Sequence, residues 1–203
     1  MSIAEHLVML GPAPCAACRR RGGWLCPSCA RAARRAASAP PPAGVDTAVA
    51  AWAYEGGPRA LVLALKLRHQ RSAAAPLAER MAAVARGRGL DGDAVCWVPA
   101  RPRDIGSRGF DHAEVLARGV AVRLGLPACR LLRRHGIQPD QSGLDRARRA
   151  KNLEGAFRST GRVPREVILV DDLWTTGATA TAAATTLKAA GGTRVHLLVA
   201  CRA

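Results

Sequence analysis

The chain of 203 residues carries 31 Lys and Arg against 15 Asp and Glu, a formal net charge of +16 at pH 7. This length accommodates one well-buried domain with a small appendage and excludes two large domains. The cationic excess favours polyanionic partners such as nucleic acid or phosphorylated ligands, but it equally fits an arginine-coated surface, so charge alone does not decide the function.

The N-terminal stretch MSIAEHLVML lacks the basic start and the long apolar core of a secretion signal. No apolar run approaches the ~20 residues of a membrane span. The sequence therefore predicts a cytoplasmic protein without membrane insertion. Cysteines stay reduced in that compartment, so paired cysteine spacings indicate a metal site before a disulfide.

Two C-x-x-C pairs follow in the stretch CAACRRRGGWLCPSC. Their members are Cys15, Cys18, Cys26 and Cys29. Each pair places two thiolates on one tight turn, and two such turns close a tetrahedral Zn²⁺ site. Four protein ligands leave no open position on the metal, so we expect a structural zinc; redox thiols or disulfides are the alternative.

Composition divides the chain into three parts. Residues 1–38 are basic and cysteine-bearing and form the predicted zinc-binding module, residues 39–44 (APPPAG) form a stiff proline-rich linker, and residues 45–203 form the main domain. From His6 to Val45 there are six arginines and no acid. The N-terminal module is therefore the better candidate for contact with a polyanion.

The main domain alternates predicted strands and helices. Strands are predicted in VDTAVAAWAYE, AVCWVP, CRLLRR, REVILVDD and RVHLLVACR, and helices in PRALVLALKLRHQ, DHAEVLARGVAVRLGL and TATAAATTLKAA. Asp111 is the predicted N-cap of the second helix, with Glu114 three residues later as in a capping box. Polar loops are predicted after AVCWVP and after CRLLRR. This alternation predicts a mainly parallel α/β sheet that binds ligands at the carboxyl ends of its strands.

The stretch VILVDDLWTTGAT carries the strongest functional signal. Its apolar run suits a central strand, with Asp171 and Asp172 at the carboxyl end, and TTGAT then turns into a helix. Backbone N–H groups, threonine hydroxyls and the helix N-terminus bind phosphate, whereas adjacent carboxylates accept the vicinal hydroxyls of a ribose. Binding of one sugar phosphate would therefore account for both the acidic pair and the threonine-glycine turn. The alternative is an ordinary strand-turn-helix in which the Asp and Thr side chains only cap the helix.

The same stretch resembles the phosphoribosyl diphosphate (PRPP) motif of type I phosphoribosyltransferases, in which two acids hold the ribose hydroxyls and the next loop holds the 5′-phosphate. The PRPP-binding residues that this resemblance implies are Asp171, Asp172, Thr175, Thr176, Gly177, Ala178 and Thr179.

The whole chain resembles the ComF family, which is associated with DNA uptake during natural transformation. VPARPRDIGSRGFDHAEVLA, QSGLDRARRAKNLEGAF, the ending ACRA and the cysteine module carry this resemblance. It implies a type I phosphoribosyltransferase-like sheet with helices on both faces and a small N-terminal zinc ribbon. It also implies PRPP or a related phosphosugar as ligand, with Mg²⁺, and single-stranded DNA and a competence helicase as partners. The alternatives are a non-enzymatic PRPP-sensing or DNA-binding adaptor and a nucleobase-salvage enzyme, although no base-specificity hood is recognisable.

The ComF resemblance also assigns residues outside the motif. The arginine of RGF is Arg108, and Lys66 matches a family lysine suited to a diphosphate, with a solvated helix residue as the alternative. Arg101 and Arg103 lie in a loop that holds pyrophosphate in such folds, or in a plain basic surface loop. The residues after RGF, Asp111 and His112, replace the family's Asn-Gln.

Further family positions lie in the later polar loop, at Gln141, Arg149 and Asn152. The basic set of this loop is Arg146, Arg148, Arg149 and Lys151. It predicts a lid over the ligand, a strip along nucleic acid or a solvated helix face. The sequence shows no nucleophile with a partnered base, so catalytic residues and catalytic activity stay unassigned.

Overall fold

The computed structural model describes residues 13–135 and 155–203. The helices are α1 (Pro27–Arg31), α2 (Gly56–Leu67), α3 (Ala74–Gly87), α4 (Pro102–Arg108), α5 (His112–Leu124) and α6 (Ala178–Ala189). The strands are β1 (Thr47–Ala53), β2 (Ala94–Trp97), β3 (Leu132–Arg134), β4 (Phe157–Ser159), β5 (Glu166–Trp174) and β6 (Arg194–Arg202). A 3₁₀ turn, Arg71–Ala73, leads into α3.

The main sheet has the strand order β1-β6-β5-β2 among the described residues, and every neighbouring pair is parallel. Val170 of β5 lies opposite Leu198 of β6 and Trp97 of β2. The apolar run before the acids is fully buried, as a central strand covered on both faces requires. The carboxyl ends of the four strands lie along one edge, which is where the acidic pair is placed.

Helices cover both faces of this sheet, as predicted. On one face α2, α3 and α5 pack around Leu65, Met81 and Leu116. On the other face α6 packs through Leu187, and Phe157 of β4 lies in the same apolar cluster. Fully burying a leucine contributes about 1.5–3 kcal/mol. The predicted mainly parallel α/β architecture with helices on both faces is therefore confirmed.

Three helices occur where the sequence predicted none: the short α1 in the cysteine module, and α3 and α4 in the main domain. The buried face of α3 consists of Leu77 and Met81 between alanines. Because it has so few large apolar residues, the sequence does not show a clear helical periodicity here. Helix α4 lies in the predicted polar loop after β2; it begins at Pro102 and ends at Gly109, whose φ of +77° suits glycine.

The predicted strand CRLLRR lies outside the main sheet. It forms β3, which pairs antiparallel with β4 through Arg133 and Arg158. Strand β5 is also longer than predicted and continues past the acids to Trp174. The acidic pair is consequently held by the strand backbone.

The N-terminal segment and the linker contact the main domain. A Cβ atom added at Gly57 would lie 2.6 Å from Cδ1 of Leu25, and one added at Gly177 would lie 2.7 Å from Cγ of Pro42. The linker therefore packs against the turn that precedes α6. Within the described ranges no helix is both long and apolar enough to cross a membrane.

Candidate functional site at the carboxyl edge of the sheet

The two adjacent acids of β5 have different environments. Successive side chains of a strand point to opposite faces, and accordingly Asp171 is half-buried whereas Asp172 is 2% exposed. Oδ1 of Asp171 accepts the backbone N–H of Asp172 at 2.8 Å. The pair thus offers one accessible carboxylate and one enclosed carboxylate.

The enclosed carboxylate is held by side chains from two helices. Nζ of Lys66, at the end of α2, lies 3.0 Å from Oδ2 and 3.2 Å from Oδ1 of Asp172. Nε2 of His112, at the start of α5, lies 3.5 Å from Oδ1. Lys66 is therefore ion-paired inside the site instead of being a solvated residue of the helix surface.

These contacts drive the pKa values of the two acids apart. Burial raises the pKa of Asp171, and the negative charge of Asp172 raises it further. Burial acts in the same direction on Asp172, but the hydrogen bond from His112 and the charge of Lys66 hold its pKa far below the usual range. Burial lowers the pKa of Lys66, yet the charges of Asp172 and Asp171 leave it raised. Asp172 and Lys66 therefore form a charged pair, and Asp171 holds its proton more tightly than an ordinary aspartate.

Arg108 determines which nitrogen of His112 carries the proton. Nη1 of Arg108 lies 2.7 Å from Nδ1 of His112. An arginine only donates hydrogen bonds, so Nδ1 accepts and the ring proton lies on Nε2, which faces Asp172. Arg108 also pairs with Asp104 at 3.4 Å. Arg108, His112 and Asp172 thus form a continuous hydrogen-bonded chain.

Asp111 has a structural role at the start of α5. Its Oδ1 accepts the N–H groups of Ala113 at 3.0 Å and Glu114 at 3.4 Å, which is N-capping geometry, and its Oδ2 accepts the N–H of Ala100 at 3.0 Å. The Glu114 side chain bonds Arg118 at 2.9 Å. The N-cap is therefore present as predicted, but among the described bonds the Glu114 side chain accepts from Arg118 and Arg130 and not from the Asp111 N–H, so the capping box is incomplete. Asp111 also joins the segment after β2 to α5.

The threonine-glycine turn leads directly from β5 into α6. Thr175 and Thr176 are exposed, and Gly177 occupies the N-cap position of α6 with a φ of +82°. Oγ1 of Thr176 accepts the N–H of Ala178 at 3.4 Å, and Thr179 is half-buried in the first turn. The exposed hydroxyls and the helix N-terminus lie on one turn, an arrangement that suits a phosphate.

Three arginines lie around the same edge. Arg101 is the N-cap residue of α4, and Nε of Arg103 lies 3.7 Å from Asp104. Arg134 of β3, which the sequence analysis did not single out, donates to the carbonyl of Pro99 at 2.8 Å. Burial and the charge of Arg101 lower the pKa of Arg134. The charges of Asp171, Asp104 and Asp111 act on Arg134 in the opposite direction. The sequence offered no signal that brings Arg134 to Arg101.

Gln141, Asn152 and the basic set Arg146, Arg148, Arg149 and Lys151 lie outside the described residues.

The four N-terminal cysteines meet in one cluster. Their sulfur atoms all lie within 4.8 Å of one another, with Cys18 and Cys26 3.6 Å apart. The backbone N–H of Cys26 donates to Sγ of Cys15 at 3.5 Å. Hydrogen bonds from the Cys29 backbone and from Ser28 lower the pKa of Cys26 to about 6. Four convergent sulfurs fit a tetrahedral zinc ion, so the cluster is compatible with the predicted zinc module.

A second group of metal-ligand side chains lies at the acidic pair. Donor atoms of His112, Asp171 and Asp172 lie within 4.8 Å of one another. Mg²⁺ prefers oxygen ligands and keeps several waters. Lys66 already neutralises Asp172, so Asp171 is the carboxylate that fits such an ion.

Three solved structures are similar to this chain at low identity. The allosteric regulatory enzyme of purine biosynthesis is 20% identical, and the glutamine PRPP amidotransferase from B. subtilis, complexed with ADP and GMP, is 21% identical. Each match covers 63% of this chain and 26% of the other, with a TM-score of 0.43. The purine phosphoribosyltransferase from Pyrococcus horikoshii is 15% identical over 62% of this chain and 69% of that one, with a TM-score of 0.38. This chain thus spans about a quarter of the length of the first two. Neither a protein-family model nor a curated protein sequence matches it.

Proposed function

We propose that the chain binds PRPP or a related phosphosugar at the carboxyl edge of its parallel sheet. The observation that supports this proposal is the accessible carboxylate of Asp171 on the same segment as the exposed turn at the N-terminus of α6. Asp171 would accept ribose hydroxyls, and Thr175 and Thr176 with the neighbouring N–H groups would bind the 5′-phosphate. The two ends of one phosphosugar therefore have separate recognition groups.

The diphosphate of PRPP requires cations. Lys66 of α2 contacts Asp172 directly, Arg108 of α4 contacts His112, and Arg101 is the N-cap residue of α4. Lys66 is engaged by Asp172, so a bound diphosphate would compete with that carboxylate for the ammonium group. Mg²⁺ would enter with the ligand, beside Asp171, and neutralise diphosphate oxygens.

The reaction class that fits such a site is phosphoribosyl transfer. The bond between C1 of the ribose and diphosphate breaks, diphosphate leaves with the bonding electrons, and the acceptor's lone pair forms the new bond to C1 with loss of its proton. Positioning and charge neutralisation supply most of the acceleration in such chemistry, so it does not require a nucleophile of the chain. A PRPP-sensing adaptor would use the same pocket without releasing diphosphate. DNA uptake and its partners rest on the ComF resemblance alone.

Calorimetric titration with PRPP and Mg²⁺ tests the binding proposal. We expect saturable binding, and Asp171→Asn should weaken it roughly ten- to a hundredfold, because a charge-assisted hydrogen bond contributes about 1.5–3 kcal/mol. The same variant should bind inorganic phosphate as the parent does, since the turn is intact. Absence of PRPP binding, or equal affinity of the variant, would contradict the proposal. Diphosphate release with a panel of nucleobases then distinguishes an enzyme from a sensor.

A further inference from the structure

Strand β1 is an edge of the main sheet, and its outer side borders a groove of about 470 Å³. The C-terminal part of α3 and its C-cap Arg88 form one wall and residues 35–39 form the other, with the edge of β1 as the floor. Side chains from both faces of β1, Ala48 and Val49 among them, line the groove, so it follows the strand edge and not one face. The groove therefore lies beside the strand, and Trp174, the last residue of β5, also lines it.

The backbone of β1 presents unpaired donors to this groove. Asp46 and Tyr54, on either side of β1, donate their N–H groups to β6. N–H groups alternate sides along a strand, so those of Thr47, Val49 and Ala51 point away from β6. The N–H of Ala53 also points outward, and it donates to the carbonyl of Arg34 at 3.0 Å.

Among the described residues, the bond from Ala53 to Arg34 is the single backbone hydrogen bond on the outer edge of β1. Further along that segment, the Ala37 carbonyl accepts from Nη1 of Arg202 at 2.7 Å and not from the backbone of β1. Among the described residues no further backbone bond reaches the outer side of Thr47, Val49 or Ala51. The outward N–H groups of β1 therefore border the groove of about 470 Å³ between the two segments.

The side chains around the groove are small or cationic. Alanines line both the floor and the wall of residues 35–39, which lets another backbone approach closely. Arg35 and Arg88 are exposed, and Arg80 stacks over Trp52 at 5.8 Å with its Nε buried and without a hydrogen-bond partner in the described part of the chain. No described residue lining the groove is acidic. The cationic charge here is thus uncompensated.

We propose that this groove binds an extended acidic segment of a partner protein, which adds to β1 as a further strand. Backbone hydrogen bonds to Thr47 and Val49 would hold the segment, and its carboxylates would pair with Arg35, Arg80 and Arg88. A second copy of this chain is disfavoured at this edge, since it would bring its own arginines and a net charge of +16.

Fluorescence anisotropy with labelled peptides tests the proposal on the full chain. The probe is a peptide of alternating glutamate and valine, and the matched probe has the same sequence with alternate backbone nitrogens methylated. Both carry equal charge, but only the first can complete a strand ladder. We expect saturable binding of the first probe and at least about tenfold weaker binding of the second.

The double variant Arg35→Glu/Arg88→Glu should bind the first probe with an affinity about tenfold or more below that of the parent. Arg158→Glu/Arg162→Glu, at two exposed arginines outside the groove, changes the net charge equally and should bind within about twofold of the parent. Two results would overturn the proposal in favour of a nucleic-acid surface. One is equal binding of both probes, and the other is displacement of the first probe by oligothymidylate that does not depend on Arg35 and Arg88. Absence of binding by either probe would also overturn it and leave the arginines as protection of the edge against aggregation.

Discussion

The Lys66 ammonium lies 3.0 Å from the Asp172 carboxylate, although 106 positions separate the two residues in the sequence. This ion pair joins the end of α2 to β5 at the edge where the proposed ligand binds. It separates the roles of the acidic pair: Asp172 holds Lys66 and accepts from His112, and Asp171 is left to face the ligand. A carboxylate pair in which both members hold ribose equally would not show this asymmetry.

Removal of the ammonium group should destabilise the fold. Lys66→Met keeps most of the side-chain length but leaves the carboxylate of Asp172, 3% exposed, without its cation. We expect the free energy of unfolding to fall by about 3 kcal/mol. This value is at the lower end for a broken buried ion pair, because His112 still donates to Asp172. Urea unfolding measures the change. Arg68→Met, at an exposed arginine two residues later, is the control and should change stability by less than about 0.5 kcal/mol.

The two acids should respond oppositely to neutralisation at pH 7. The lowered pKa of Asp172 means that its ionised form stabilises the fold above the ordinary aspartate pKa of about 3.9, and this stability is lost as pH falls through the folded-state pKa. The raised pKa of Asp171 has the reverse sign: its contribution is present below about 3.9 and is lost as pH rises through the folded-state pKa. Asp172→Asn should therefore destabilise the protein at pH 7, and Asp171→Asn should stabilise it.

The two differences from the parent should shrink in different pH ranges. The Asp171 difference should shrink as the pH falls from its raised folded-state pKa towards about 3.9, and the Asp172 difference should shrink only as the pH falls below about 3.9 towards its lowered folded-state pKa. Thermal unfolding of the parent and the two variants between neutral and acidic pH measures this. Equal destabilisation by both variants at pH 7 would show that the two carboxylates share one environment, contrary to the asymmetry described above.

The turn before α6 should not tolerate a side chain. Gly177→Val would force a branched residue into a φ of +82° and would place its Cβ 2.7 Å from Pro42. We expect binding of both inorganic phosphate and PRPP to be lost, in contrast to Asp171→Asn, which should affect PRPP alone. Calorimetry with the two ligands distinguishes these patterns. Gly87→Ala, at a position with open space around the added Cβ, is the control and should bind both ligands normally.

The cysteine cluster should hold about one zinc ion per chain. Cys26→Ser removes the sulfur that lies 3.6 Å from Cys18, so we expect loss of the metal and melting of the N-terminal module. Metal analysis of protein purified under reducing conditions measures the first effect, and limited proteolysis measures the second. Cys129→Ser, outside the cluster, should retain the zinc. A metal-free parent protein would refute the assignment.

Local sequence pattern determined the order and type of most elements of this protein. The continuous apolar run before Asp171 predicts a central strand because such a strand is buried on both faces, and the spacing of the four cysteines predicts their convergence because each pair lies on one turn. The N-cap at Asp111 was equally readable, since its partners are the next few N–H groups of the chain. The alanine-rich helix α3 could not be predicted in this way, because small residues give a weak periodic signal.

Tertiary structure alone decided which side chains meet. Three contacts join elements that are distant in sequence: Lys66 with Asp172, His112 with Asp172, and Arg134 with Arg101. Their positions depend on strand order and on how each helix packs over the sheet, and residue periodicity carries no information about either. The different environments of Asp171 and Asp172 arise in the same way: adjacent strand residues face opposite sides, and the packed helices bring cations to only one of those sides.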